Sequence, residues 1–111
     1  MAIQEKTLGQ STVLSASNST IYTVPATITT LVKTIWICNT TTSDVTIELW
    51  NVPNAGSAAD GNKLMDTRTI PASDFVVVHT YLPMETAGDT IQAKGSTNIA
   101  LTVNLYGAEI T

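Results

Sequence analysis

Few side chains in this sequence could carry nucleophilic chemistry. His79 is the only histidine and Cys38 the only cysteine, so a Ser–His–Asp or Cys–His arrangement would have to be built on His79. His79 ends the run Phe75-Val76-Val77-Val78-His79, on the same strand face as Phe75 and Val77. In that setting we expect a buried or interfacial imidazole with a hydrogen-bond partner rather than a catalytic base. No third group completes a Cys38–His79 pair, so we predict no catalytic residues and no enzyme activity.

The acidic residues are scattered near predicted turns. Asp60-Gly61-Asn62 is a fragment of a calcium loop, but it lacks the D-x-[DN]-x-[DN]-G spacing that brings several oxygens onto one ion. Turn chemistry explains it better. Nothing singles out a pair of carboxylates for glycoside cleavage. One cysteine excludes an internal disulfide and a cysteine-based zinc site. We therefore expect no metal site and no cofactor.

Three aromatic side chains lie on the strand faces opposite the main apolar sets: Trp36, Trp50 and Tyr106. Aromatic residues in such positions can form the second half of a core, contact another subunit, or provide a platform on which sugar rings stack. The sequence leaves these three interpretations open.

Strands must position these side chains, and the clearest signal lies in residues 22–52. Two β-rich runs flank a polar turn at residues 39–44. Apolar residues alternate on one face of each run: Leu31, Ile35 and Ile37 in the first, and Val45, Ile47 and Leu49 in the second. Period-two alternation bounded by Asn, Asp, Ser and Thr predicts a β-hairpin with one buried face.

The rest of the chain is read as strands added to this pair. We predict about eight strands, at residues 11–15, 19–24, 28–38, 44–52, 63–70, 74–82, 89–94 and 98–106. The last two would form a closing hairpin through residues 95–97, with Ile99, Leu101, Val103 and Leu105 facing inward. Residues 53–62 form the longest loop, and residues 1–10 read as an extended arm or a frayed terminus. Turn signals every 8–12 residues predict an all-β, single-domain antiparallel β-sandwich, jelly-roll-like, at residues 11–111.

Composition agrees with this fold and excludes several functions. A chain of 111 residues is long enough for one core, and 43% hydrophobic residues exclude a disordered chain. About a fifth of the residues are threonine, whose branched Cβ suits strands. The net charge of −4, with no Lys/Arg cluster, argues against nucleic-acid binding. Residues 1–10 lack a secretory signal and no apolar run approaches the roughly 18 residues that span a bilayer. We expect synthesis in a cytoplasm and no membrane partner.

Several short motifs follow one another in a characteristic order: Tyr22-Thr23-Val24-Pro25-Ala26, Ile35-Trp36-Ile37-Cys38-Asn39-Thr40-Thr41, Val45-Thr46-Ile47-Glu48-Leu49, Ile70-Pro71-Ala72 and Gly88-Asp89-Thr90-Ile91-Gln92-Ala93. This series resembles a family of small β-sandwich virion proteins of tailed bacteriophages, over residues 19–107. Sandwiches of this kind serve as capsid decoration proteins, head or neck fibres and tail components. The family offers no catalytic residues to carry over.

The resemblance and the short chain together imply a capsid decoration (cement) protein. Such a protein would be a homotrimer that binds the major capsid protein on the outer surface of the virion and stabilises the head. The alternative is a tail-, neck- or fibre-associated module that binds a host-surface glycan, and a second rival is a small hydrolase with His79 in a cleft. The interface residues that we expect are Ile3, Leu8, Trp36, Trp50, Asn54, Asp60 and Asn62.

Overall fold

Strands make up most of this chain. The computed structural model describes residues 2–111, and of residues 9–13 it describes the backbone alone. The strands are β1 (Ile3–Val13), β2 (Ser19–Thr23), β3 (Thr29–Asn39), β4 (Val45–Val52), β5 (Lys63–Ile70), β6 (Phe75–Met84), β7 (Thr90–Gly95) and β8 (Leu101–Ile110), with a 3₁₀ turn at Asp60–Asn62. Over these residues no helix is long and apolar enough to cross a membrane.

The strands form two antiparallel sheets of four. The first sheet has the order β1-β8-β3-β6 and the second sheet the order β2-β7-β4-β5. Each connection passes from one sheet to the other, except that from β4 to β5, which are neighbours in the second sheet. This is the strand order of a jelly roll. The predicted all-β antiparallel sandwich is confirmed.

The predicted hairpin at residues 22–52 is wrong. β3 lies in the first sheet and β4 in the second, and they share no backbone ladder. Their apolar faces instead oppose each other across the core, where Ile37 and Ile47 are both fully buried. Alternation identifies the buried face of each strand. It is the same whether two consecutive strands are hydrogen-bonded neighbours in one sheet or lie opposite each other in two sheets.

The closing hairpin fails for the same reason. β7 belongs to the second sheet and β8 to the first, so the chain crosses the sandwich between them. Leu101, Val103 and Leu105 face the core as predicted, but Ile99 is 77% exposed. Ile99 precedes β8 and has a φ of 58°, the left-handed backbone of a turn. A turn conformation, and not strand alternation, sets where its side chain points.

An irregularity in β3 changes which of its residues face the core. Its register against both neighbours shifts between Val32 and Thr34. Because one residue's shift exchanges the two faces, Val32 is buried before the irregularity and Ile35 after it, whereas Leu31 is only partly buried. The predicted inward set of Leu31, Ile35 and Ile37 is therefore wrong at Leu31.

Residues 3–10 belong to the sandwich. β1 is one strand from Ile3 to Val13 and pairs with β8, from Ile3 opposite Ile110 to Val13 opposite Thr102. Sequence analysis instead divided this segment between an arm and a short strand. Two register shifts interrupt the pairing, between Thr7 and Gly9 and between Gly9 and Thr12. They break the period-two pattern from which a strand is recognised. Contact of this segment with a neighbouring subunit stays a prediction.

A polar cluster joins the two sheets at one end of the sandwich. The Tyr22 hydroxyl of β2 donates to Glu109 Oε2 (2.7 Å) and lies 2.7 Å from the hydroxyl of the buried Thr30. Lys6 Nζ is 3.0 Å from Glu109 Oε1. Burial raises the pKa of Tyr22 to about 12, and the nearby carboxylate adds to the rise. The hydrogen bonds from Tyr22 and Lys6 lower the pKa of Glu109.

Asn39 organises the crossing from β3 to β4. Its side chain is buried and donates to the carbonyl oxygens of Ser43 (2.8 Å) and Ile70 (3.0 Å). Its Oδ1 accepts the backbone N–H and the hydroxyl of Thr41. All of its hydrogen-bonding capacity is thus satisfied inside the protein, as a buried amide requires.

The close approach of β3 and β8 gives a first prediction. A Cβ at Gly107 would collide with the Leu31 carbonyl, whereas a Cβ at the exposed Gly61 would meet nothing within 4 Å. We expect Gly107→Ala to lower the free energy of unfolding by about 2 kcal/mol or more, because the backbones must separate. Gly61→Ala, the control, should stay within about 0.5 kcal/mol of wild type. Urea unfolding measures both, and equal stabilities would contradict the close approach.

The polar cluster predicts a specific acid sensitivity. Because the pKa of Glu109 is lowered in the folded state from its ordinary 4.5, its stabilising effect is complete above that value and is lost as the pH falls below it. We expect wild type to be more stable than Glu109→Gln at pH 7, with the difference shrinking between about pH 5 and pH 3. Thermal unfolding across this range checks it, with Glu85→Gln as the exposed control. A difference that is independent of pH would contradict the prediction.

Candidate functional site

The outer face of the first sheet carries four of the chain's six aromatic residues. We define the aromatic face as Trp36, Phe75, Val77, Tyr81 and Tyr106. Their rings remain well exposed: 40% for Trp36, 51% for Phe75, 76% for Tyr81 and 38% for Tyr106. The rings of Trp36 and Phe75 stack with centroids 5.1 Å apart and planes inclined by 14°. Exposed aromatic side chains grouped on one sheet face are typical of surfaces that contact a partner.

The strand register brings these residues together. Trp36 of β3 lies opposite Val77 of β6 on one side and Asn104 of β8 on the other. Thr34 likewise lies between His79 and Tyr106. Because Ile35 and Ile37 point into the core, period-two alternation directs Trp36 outward. The aromatic face therefore spans three adjacent strands.

The five residues of the aromatic face carry no formal charge, and the charged residue next to them in β3, Lys33, is paired with Glu5 of β1 (2.7 Å). Between Asp74 and Glu85 no residue of β6 is formally charged, and the same is true of residues 34–38 and 101–106. Thr34, Thr102 and Asn104 supply the polar groups between the rings. Depletion of charge with enrichment of aromatic side chains is typical of the centre of a protein interface.

The structure excludes the buried alternative predicted for His79, and the interfacial one stays a prediction. His79 shares a face with Phe75 and Val77 as predicted, but that face is the outer one and the imidazole is exposed. His79 lies opposite Thr34, while Cys38 lies opposite Phe75, so the two candidate groups are not cross-strand neighbours. Within residues 2–111 no group of three His, Cys, Asp or Glu side chains is arranged to hold a metal ion.

Trp50 does not offer the surface that the sequence suggests. Its side chain is only 7% exposed, with Lys63 Nζ lying 5.5 Å from the ring centroid. Three carboxylates hold this ammonium group over the indole: Asp66 at 2.9 Å, Glu48 at 3.7 Å and Asp60 at 3.9 Å. The hydrogen bond to Asp66 raises the pKa of Lys63. Lysine and tryptophan thus form a closed cation–π contact on the second sheet.

The other predicted interface residues lie on separate elements. Ile3 is exposed on β1, while Leu8 packs partly against the core. In the loop between β4 and β5, Asn54 donates its backbone N–H to Asp89 Oδ1 (2.9 Å) and Asp60 is exposed. Asn62 accepts the Ala59 N–H (3.0 Å) and donates to the Ser57 carbonyl (2.9 Å). The amide of Asn62 therefore stabilises the loop itself.

Of the predicted interface residues, only Trp36 belongs to the aromatic face, which also includes Tyr106, the other aromatic residue correctly predicted to lie on an outer strand face. Sequence analysis missed Phe75 and Tyr81 as surface residues, although it placed Phe75 on the face of His79. What the sequence did not reveal was which face of β6 points toward the core. Val76, Val78 and Leu82 pack against the core, and in a run that is apolar at both odd and even positions the alternation does not identify the buried face.

Comparisons with known proteins bear on the fold. No family model matches the chain, and no curated protein sequence matches it. Its fold is similar to that of a chain in the structure of infectious bursal disease virus Gx strain, with a TM-score of 0.58 and 8% identity. That alignment covers 97% of this chain but 31% of the viral one, so the chain spans about a third of the length of its structural neighbour. A chain of the Gt strain aligns over 96% of this chain and 30% of its own length, with 8% identity and a TM-score of 0.35, too low to support an argument. The likeness to the Gx strain shows a shared β-sandwich fold.

Proposed function

We propose that this chain is a structural virion protein, a decoration protein that binds the outside of an assembled tailed-phage head through its aromatic face. The single observation that carries the proposal is this neutral, exposed face, with the stacked rings of Trp36 and Phe75 and, further along β6, the exposed ring of Tyr81. The jelly-roll order, the likeness to a virus chain and the motif resemblance to phage virion proteins support it.

The proposed partner is the major capsid protein. A decoration protein that binds the assembled shell but not its separated subunits stabilises the shell by mass action, by RT ln(1 + [L]/Kd). The aromatic face suits this role because burial of exposed rings provides the free energy of binding, while the neutral surface avoids repulsion between a chain of net charge −4 and other acidic surfaces.

A second candidate is the glycan-binding module of a tail or neck. The observation in its favour is that exposed rings lie beside hydroxyl and amide groups, as at Tyr106 and Thr34. Trp50 cannot contribute because it is buried. One face of Trp36 is already occupied by Phe75, which leaves less of the ring for a sugar.

The two candidates are separated by binding measurements on one pair of variants. Tyr81 and Ile99 are almost equally exposed, 76% and 77%, but only Tyr81 lies on the aromatic face. We expect Tyr81→Ser to weaken co-pelleting with purified undecorated heads by about tenfold or more, because it removes an aromatic contact residue. Ile99→Ser should bind like wild type.

Thermal unfolding of both variants verifies that any loss of binding does not come from misfolding. Equal binding by wild type and Tyr81→Ser, or equal losses in both variants, would contradict the role of the aromatic face. No binding of wild type to heads, together with Tyr81-dependent binding on a glycan array, would replace the decoration proposal with the glycan-binding one.

A further inference from the structure

His79 lies on the outer face of the first sheet, among the residues of the aromatic face. Three residues of β6 pack against the core: Val76, Val78 and Leu82. Period-two alternation therefore directs Val77, His79 and Tyr81 outward. In the strand register His79 lies opposite Thr34 of β3, and Thr34 lies opposite Tyr106 of β8 on its other side. The exposed imidazole thus belongs to the surface that the aromatic face presents to a partner.

His79 is the residue of this surface whose charge can change near neutral pH. It is the only histidine of the chain, and histidine is the side chain that ordinarily gains a charge between about pH 8 and pH 5. The thiol and phenol groups nearby, those of Cys38, Tyr81 and Tyr106, belong to side-chain types that titrate at higher pH. A proton on His79 therefore places a positive charge in a surface that is otherwise neutral.

The charged groups of the surrounding elements are engaged with one another or lie beyond the strand ends. In the first sheet they are Lys33 of β3, Glu5 and Lys6 of β1 and Glu109 of β8, with Asp74 and Glu85 flanking β6. In the second sheet, β5 carries Lys63, Asp66 and Arg68. Glu5 pairs with Lys33, and Lys6 pairs with Glu109. Within residues 2–111 no salt bridge includes the imidazole of His79.

We propose that His79 makes binding through the aromatic face dependent on pH: the bound state requires the neutral imidazole, and protonation of the imidazole releases the partner. The partner surface that covers His79 is then neutral and apolar, with no carboxylate opposite the ring. This inference rests on the proposed function, because it concerns the same contact between this chain and the outside of a head.

Desolvation gives the direction of the effect. A protonated imidazole between Val77 and Tyr81 would lose water on binding without gaining a carboxylate from this chain, and burial of an unpaired charge is unfavourable. A competing effect is that protonation changes the net charge from −4 to −3 and so weakens repulsion from an acidic partner. That long-range effect is screened beyond about 8 Å at physiological ionic strength, whereas desolvation acts at the contact itself. Desolvation therefore decides the sign.

The size of the effect follows from the fraction of neutral imidazole. If only the neutral form binds, the apparent Kd is the intrinsic Kd divided by that fraction. One pH unit below the pKa of an imidazole, the neutral fraction is about one tenth. We therefore expect wild type to bind undecorated heads about tenfold more weakly at about pH 5.5 than at about pH 8.

Co-pelleting with purified undecorated heads at these two pH values tests the proposal, with the ratio of the two Kd values as the readout. His79→Gln carries no charge at either pH, so its ratio should be close to one whatever its affinity at the higher pH. The matched control adds Ile99→His to the His79→Gln chain. It places a histidine at an exposed position outside the aromatic face, and it should not restore the ratio.

The possible outcomes separate this inference from the proposed function. Equal binding of wild type at both pH values, stronger binding at the lower pH, a ratio that His79→Gln leaves unchanged, or a ratio that Ile99→His restores would overturn the role of His79 and leave the proposed function intact. No binding of wild type to heads at the higher pH would contradict the proposed function and this inference with it. Thermal unfolding checks that each variant is folded at both pH values, and electron microscopy checks that the heads are intact.

Calorimetry gives a second readout that does not depend on the ratio of affinities. Because the bound state requires a neutral imidazole, binding at about pH 6 should release protons from the protein. The number released follows from the heats of binding measured in two buffers of different ionisation enthalpy. Wild type should release more protons than His79→Gln, by up to one for each bound chain. Equal proton release by the two chains would overturn the proposal.

Discussion

The opposition of two apolar sheet faces is the constraint on which the rest of this structure depends. Each sheet buries one face, with Ile37 and Leu105 from the first sheet and Ile47 and Leu49 from the second among the fully buried residues. Each apolar face is buried only because the other sheet covers it, and burial of apolar area is the main favourable term in folding. Six of the seven connections therefore cross between sheets. Buried polar groups such as Asn39 and Tyr22 are placed where crossings and sheet ends need hydrogen bonds.

This constraint explains how much of the fold could be read from the sequence. The positions of β2, β3, β4 and β5 follow from alternation and from prolines and polar turns, because these are local signals. The pairing of β3 and β4 could not be predicted, since Ile35 and Ile47 show the same period whether their strands are neighbours or lie in opposite sheets. The direction in which Leu31 points could not be predicted, because a register shift interrupts the alternation of β3 and such a shift produces no periodic pattern in the sequence.

The candidate site was predictable to a smaller extent. Trp36 was identified as an outward residue because its neighbours in β3 alternate clearly. Trp50 has the same pattern, yet it is buried and Lys63 lies over its ring. A contact between residues of separate strands produces no local pattern in the sequence. β6 is apolar at most positions, so its inward and outward faces become distinct only when β3 is in place. Surface properties that arise from packing have to be taken from the structure.

A consistent division of the surface follows from these features. On the second sheet Trp50 is buried with Lys63 over its ring, while the first sheet leaves its aromatic face and its β6 edge open. Both open features are neutral and apolar on a chain of net charge −4. Their chemistry suits protein partners, because binding there buries apolar area and brings no like charges together.

The measurement that tests this account most directly is amide hydrogen exchange of the protein, alone and bound to undecorated heads. Exchange reports which backbone segments become protected by a partner. The account predicts that added protection is concentrated in β6 and in the part of β3 that carries Trp36. Added protection confined to the second sheet or to the loop at residues 53–62, with β6 and β3 unchanged, would contradict it.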